Sequence, residues 1–200
     1  LREAGSNQRF HRLSAARTWA RRSAKTGSFS CAGPYPRSSP DGRLLLLPWS
    51  EGAPAEIVDA ESGRVLASLP SPESTATRYY GAVGDAGRWV VQGRGDARLS
   101  LWNVQSGIAT EYCLEEKNAR PESLAFLPGL DVCVVLTTGG VLLLDVPRRQ
   151  RLGDWKLPAG VRLKTFVPSS DLAVSRDGTR LALRAVAGDD VMIYVLSVGR

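Results

Sequence analysis

Histidine is almost missing from this chain: His11 is the only one in 200 residues. The long stretch after it therefore has no Ser–His or Cys–His nucleophilic machinery of its own. It also has no zinc set built on histidine and cysteine. Cysteine is scarce too. Cys31, Cys113 and Cys133 are the only three, an odd count without metal-ligand spacing. They read as small buried apolar residues in a reducing compartment, which leans the chain towards the cytoplasm. Long apolar runs are absent. The longest, Val132 to Leu136 and Val141 to Leu144, have the length of strands and fall far short of the ~18 residues a membrane helix needs, so no transmembrane segment is expected.

Acidic residues are almost missing from the first thirty positions. Arg2, Arg9, Arg12, Arg17, Arg21, Arg22 and Lys25 face Glu3 alone, and this segment carries the whole net charge of +6. Residues 31–200 are neutral, so the high isoelectric point belongs to the N-terminus. Three readings of residues 1–27 stand side by side. They form a solvated basic tail, a basic helix with a thin apolar stripe of Phe10, Leu13 and Ala20, or the end of a preceding sheet with Thr18 to Ala20 as its outer strand. The helix reading allows contact with an acidic membrane or nucleic acid, the latter with affinity falling steeply as salt rises, or a transit-like role. The chain starts at Leu1 and stops at Arg200 inside an expected hairpin, as an excised or processed piece would.

What is present is repetition. Ser39 to Leu69 reads SPDGRLLLLPWSEGAPAEIVDAESGRVLASL. Pro40-Asp41-Gly42 is turn chemistry, and Leu44 to Leu47 is a short apolar run suited to a strand buried on both faces. Glu56 to Asp59 and Val65 to Leu69 are two further strands around the tight turn Glu61-Ser62-Gly63. The pattern returns three times. Taking Asp59 as the anchor at the end of the middle strand, its counterparts are Asn103, Asp145 and Val195, at spacings of 44, 42 and 50 residues. The upstream turn returns at Asp85 to Arg88, weakly at Pro128 to Asp131, and at Arg176 to Arg180. Units of about 40–45 residues with four strands each are the signature of propeller blades. The long last spacing places an insertion near Val161 to Ser170.

SPDGRLLLL, IVDAESGRVLASL, LSLWNVQSG and SRDGTRLAL resemble the WD-repeat family of β-propellers, over roughly Ser28 to Arg200. Only Trp102-Asn103 approaches that family's Trp-Asp pair. The Gly-His pair is absent, so the buried histidine-centred network of the family has no counterpart here. The resemblance implies an all-β fold of four-stranded antiparallel blades, a partial or open propeller of about four, at 28–70, 71–115, 116–158 and 159–200. It also implies an interaction scaffold or adaptor.

In this frame Ser28 to Ala32 is the inner strand of the first blade, with counterparts at Tyr79 to Val83, Ser123 to Leu127 and Leu172 to Ser175. Outer strands fall at Val65 to Leu69, Ile108 to Leu114 and Arg151 to Leu157, and the fourth unit has none. Pro70 to Thr77, Glu115 to Glu122 and Pro158 to Pro168 are the linking loops. Trp49, Trp89, Trp102 and Trp155 are packing residues between blades.

Chemistry is thin. Gly93-Arg94-Gly95 and Thr137 to Gly140 lie between two strands and are hairpin turns, since a phosphate loop needs a following helix. Glu115-Glu116-Lys117 and Asp189-Asp190 lack calcium-loop spacing and read as solvated charges. Arg94, Arg98, Arg148, Arg149 and Arg151 sit at hairpin turns, where arginine also serves partner binding. The expectation is a non-enzyme with no catalytic residue, cofactor or metal, whose partner is another protein. The rival is a propeller accessory domain of a larger enzyme, such as a kinase or peptidase.

Overall fold

Four consecutive leucines form a strand, β2 (Leu44–Leu47), and its burial explains their run: Leu44 and Leu46 are buried while Leu45 and Leu47 are half-buried, so neither face is given to water. In the computed structural model of the chain, the described residues are 36–47, 54–69, 80–93, 97–115, 119–163, 172–187 and 190–199. They are all strand, turn and loop. The N-terminal segment through residue 35, with Cys31 and the three readings of residues 1–27, lies outside them, as do Trp49, Arg94 and Asp189.

Sheet 1 runs β1 (Arg37–Ser38), β2, β3 (Ala55–Asp59) and β4 (Val65–Leu69), each beside the next. Sheet 2 repeats the order with β5 (Tyr80–Val83), β6 (Trp89–Gly93), β7 (Arg98–Asn103) and β8 (Ile108–Cys113). Sheet 3 does so with β9 (Pro121–Phe126), β10 (Val132–Thr137), β11 (Gly140–Asp145) and β12 (Gln150–Lys156). In sheet 4, β13 (Val161–Arg162) and β14 (Leu172–Val174) both pair with β15 (Arg180–Ala187), whose other edge carries β16 (Asp190–Ser197). All pairings are antiparallel. β10 (VCVVLT) is apolar on both faces, because sheet 3 is packed between sheets 2 and 4. The outer strands β8 and β12 alternate between exposed and half-buried residues.

Three apolar clusters bind the sheets in sequence. Leu44, Leu46 and Ile57 meet Val83 and Val90, with Trp102 and Val104 closing the edge. Val91, Leu99 and Leu101 meet Phe126, Cys133, Val135 and Leu144, joined by Trp89 and Tyr112. Val134, Leu136 and Val141 meet Leu181, Leu183 and Ala185, joined by Trp155, Tyr194 and Leu196. Trp89, Trp102 and Trp155 are thus packing residues between sheets, as their spacing predicts.

Several expectations shift. β1 pairs with β2 at Arg37–Ser38, close to the first turn, while the expected strand Ser28 to Ala32 lies outside the described residues. Pro36 is no obstacle, because proline is tolerated where a strand begins, and Pro121 likewise opens β9. That last strand also takes the end of the expected linker Glu115 to Glu122. The insertion after sheet 3 starts with a strand, β13, that pairs with the far half of β15. The fourth anchor is Ser197 and not Val195. Leu44 pairs with Asp59, Trp89 with Asn103, Val132 with Asp145, and Arg180 with Ser197. The slip of two residues arose because β15 and β16 each run eight residues. Cys133 is buried, and burial pushes its thiol pKa up, whereas Cys113 is exposed.

Candidate interaction surface

The turn after the first strand of each sheet and the turn after the third lie at the same end of the sheets. The backbone ties them together: Ala60 N–H donates to Arg43 C=O, Val104 to Arg88, Val146 to Asp131, and Val198 to Thr179. One rim therefore gathers both sets of turns.

Each set is built by a short polar side chain. In the first turn, Ser39 Oγ donates to Asp41 Oδ1 at 2.6 Å, and the same Asp41 oxygen accepts the Arg43 N–H at 3.0 Å. Ser175 and Asp177 reproduce this, with Oγ to Oδ1 at 2.6 Å and the Thr179 N–H at 3.1 Å. These bonds, from the Ser175 hydroxyl first, hold the Asp177 carboxyl down at about 2. In both turns a glycine with positive φ follows the aspartate, Gly42 at 73° and Gly178 at 70°. At the other set, Asp59 Oδ1 accepts the Ser62 N–H at 2.7 Å, Asn103 Oδ1 the Ser106 N–H at 3.0 Å, and Asp145 Oδ1 the Arg148 N–H at 3.0 Å. This is why the anchor residue recurs: it closes the hairpin through its own side chain.

The second unit departs from the pattern. Its turn reads Asp85-Ala86-Gly87, with the aspartate one residue earlier relative to glycine. Asp85 is thereby released from its own turn. Its Oδ1 accepts the Asp41 N–H from sheet 1 at 2.7 Å, and its Oδ2 accepts the Gly129 N–H from sheet 3 at 2.6 Å. One carboxylate joins the turns of three successive sheets. Beside it, Arg88 Nη2 donates to Asp131 Oδ2 at 2.9 Å, again from sheet 2 to sheet 3.

The arginines singled out from sequence mostly have partners within the chain. Arg98 meets Glu111 at 3.4 Å, and Arg148 meets Asp145 at 2.7 Å. Arg151 bridges Glu115 at 3.1 Å and Asp154 at 2.8 Å, so Glu115 is an inter-sheet partner and not only a solvated charge. Arg149 is exposed and takes φ 54° in the slot that Gly63 and Gly107 fill in the earlier hairpins. At the opposite end of sheets 2 and 3, a cavity of about 30 Å³ is lined by Tyr112, Thr137, Arg151, Asp154 and Trp155, among others. It has room for about one water.

Two polar groups are buried between sheets 1 and 2 without a hydrogen-bond partner: the Gln92 amide and the Trp102 indole Nε1. Among the described residues no group of three potential metal ligands stands together. Among them no helix long and apolar enough to cross a membrane is present.

Neither a family model nor a curated protein sequence matches the chain. Solved structures do. Kuenenia stuttgartiensis hydrazine synthase aligns with a TM-score of 0.59 at 15% identity, over 86% of this chain and 48% of that one. The Myceliophteria thermophila Cps50 (Swd1) beta-propeller domain aligns with a TM-score of 0.57 at 15% identity, over 86% of this chain and 54% of that domain. Dihydro-heme d1 dehydrogenase NirN aligns with a TM-score of 0.55 at 19% identity, over 82% of this chain and 34% of that one. The likeness is one of fold. The chain is all-β with the architecture of part of a β-propeller, and it spans a third to about half the length of these structures.

Asp85 and Asp131 were not singled out from sequence as site residues. The signal for Asp85 was visible in the spacing Asp-Ala-Gly against Asp-Gly. Nothing in the sequence marked Asp131 as the partner of Arg88.

Proposed function

We propose that this chain is a non-catalytic, cytoplasmic scaffold of WD-like repeats that binds another protein through the turn rim. The observation that carries the reading is the Asp85 carboxylate, which ties the turns of sheets 1, 2 and 3 into one preorganised platform. A surface whose loops are fixed before contact loses less ordering entropy on binding. The exposed side chains of that rim, Arg149 and Arg176 among them, are presented by a rigid scaffold, as recognition loops commonly are.

The test is affinity capture with the intact chain and with an Arg149→Glu, Arg176→Glu variant. A partner retained by the first and lost from the second, at unchanged melting temperature, is the expected result. A partner retained equally by both removes the rim from the reading. Turnover of a substrate by the purified chain removes the non-catalytic part.

The second reading is an accessory propeller of a larger enzyme. Two of the similar solved structures bear enzyme names, which favours it. A catalytic domain encoded in the same polypeptide would decide for it, and further blades alone would decide for the scaffold.

A further inference from the structure

Backbone bonds align the first turns of the four sheets residue by residue. The Gly42 N–H donates to Ser39 C=O, Gly87 to Gly84, Leu130 to Leu127 and Gly178 to Ser175. Leu130 thus holds a place that glycine holds in sheets 1, 2 and 4, and it is 55% exposed. In the turns after the third strands, Arg149 holds the slot of Gly63 and Gly107. Sheet 3 therefore carries a large side chain in both rim turns, where sheets 1 and 2 carry none. The two turns adjoin, since Val146 N–H donates to Asp131 C=O at 3.0 Å. Sheet 3 has a neighbour on each face, yet Leu130 and Arg149 are exposed, because they stand beyond the strands at the end of the sheet.

Both side chains are held in place. On one side of Leu130 the Gly129 N–H donates to Asp85 at 2.6 Å, and on the other the Asp131 carboxylate accepts from Arg88 at 2.9 Å. A group fixed before contact loses little ordering entropy when it is covered. The carboxylates around the two turns are already engaged. Asp85 accepts two backbone N–H groups, Asp131 accepts from Arg88, and Asp145 accepts from the Arg148 N–H and guanidinium. Arg149 meets no carboxylate among the described residues. It also keeps a left-handed backbone, φ 54°, which is costly for a residue with a side chain, and such strain collects at ligand clamps.

We propose that the rim of sheet 3, Leu130 with Arg149, is the contact centre of the scaffold and takes an acidic segment of another protein. An apolar side chain of that segment covers Leu130, and a carboxylate of the same segment pairs with Arg149. The guanidinium fork matches a carboxylate through two parallel N–H bonds, and arginine is the charged residue most often found at the centre of protein contacts. A phosphate alone would leave Leu130 in water.

This proposal rests on the scaffold reading and names the chemistry of its partner. The probe is a random linear peptide library displayed on phage and selected on the full chain. Recovered peptides are then titrated by fluorescence anisotropy. Peptides that carry Asp or Glu close to Leu, Ile or Phe are expected. Each should bind about tenfold or more weakly to Arg149→Gly and to Leu130→Ser, as for loss of one central contact. Both substitutions change an exposed turn side chain, and melting curves show that the variants fold. Selection on Arg149→Glu should recover basic peptides instead. Recovered peptides without acidic residues, equal binding by both variants, or no saturable binding up to about 1 mM overturns the proposal. A single-stranded oligonucleotide that binds in place of any peptide, and is lost with Arg149→Gly, overturns it in favour of a phosphate ligand. Partner capture lost with Arg176→Glu but retained by Arg149→Gly keeps the rim and removes sheet 3 as its centre. Capture retained by both removes the rim reading with it.

Discussion

Trp155 and Tyr194 meet across sheets 3 and 4, ring centroids 5.3 Å apart and planes tilted by 51°. Each comes from the strand farthest along its sheet, β12 and β16, so the pair closes the outer edge of that interface. Tilted aromatic pairs contribute about 0.5–1.5 kcal/mol beyond their burial. A double-mutant cycle with Trp155→Leu and Tyr194→Leu, read by urea unfolding, should return a coupling energy in that range. A coupling near zero would reduce the contact to shared burial.

Asp85→Ala leaves the Asp41 and Gly129 N–H groups without their acceptor. Hydrogen bonds to charged groups contribute about 1.5–3 kcal/mol when shielded. These are exposed, so a loss of about 1–2 kcal/mol in all is expected. Asp85→Asn keeps one acceptor oxygen and turns an NH₂ towards the other N–H, so it should recover little. Full stability in Asp85→Asn would show that only one of the two bonds contributes.

The Asp177 carboxyl has its pKa lowered to about 2 from the ordinary 3.8, by the Ser175 hydroxyl first and the Thr179 N–H next. A group whose folded pKa is depressed stabilises the fold above its unfolded pKa and loses that contribution as pH falls through the folded one. The window is therefore between about pH 4 and pH 2. Asp177→Asn should melt lower than the parent at pH 6 and converge on it towards pH 2. A constant gap across that window would assign the loss to geometry and not to charge.

Arg149 stands at φ 54° where Gly63 and Gly107 stand at 76° and 69°. Left-handed backbone costs a residue with a side chain about 1–3 kcal/mol, and glycine returns part of that in lost chain entropy. Arg149→Gly should therefore stabilise by up to about 1 kcal/mol. Gly107→Ala should destabilise by a similar amount, although a methyl group at Gly107 would meet nothing within 4 Å. Melting curves of the two variants moving in the same direction would refute the backbone argument.

Much of the fold is legible in the residues because the turns announce themselves. Asp41-Gly42, Glu61-Ser62-Gly63 and Gln105-Ser106-Gly107 bracket short apolar runs, and the outer strand Val65–Leu69 falls where it was expected. What the repeats did not mark is the two-residue strand Arg37–Ser38 beside the first turn. Serine in place of aspartate at residue 197 hid the fourth anchor. That error was two residues, so it kept the correct face, since strand side chains repeat every second residue. The site is less legible than the fold. Arg148 and Arg151 look available for a partner until their carboxylates, Asp145, Glu115 and Asp154, are brought beside them. Asp85 differs from Asp41 by a single position, and its role exists only once three turns converge.

That convergence also has a consequence in time. The amide protons of Asp41 and Gly129 lie far apart in sequence and in different sheets, yet both are held by one carboxylate. When the Asp85 turn opens, neither keeps its acceptor. Protection of the two against solvent deuterium is therefore linked, and a local opening in sheet 2 is felt at once on both sides of it. The three turns should exchange as one body, while the Ser175–Asp177 turn, tied to its own sheet through Val198 N–H to Thr179 C=O, should exchange independently of them.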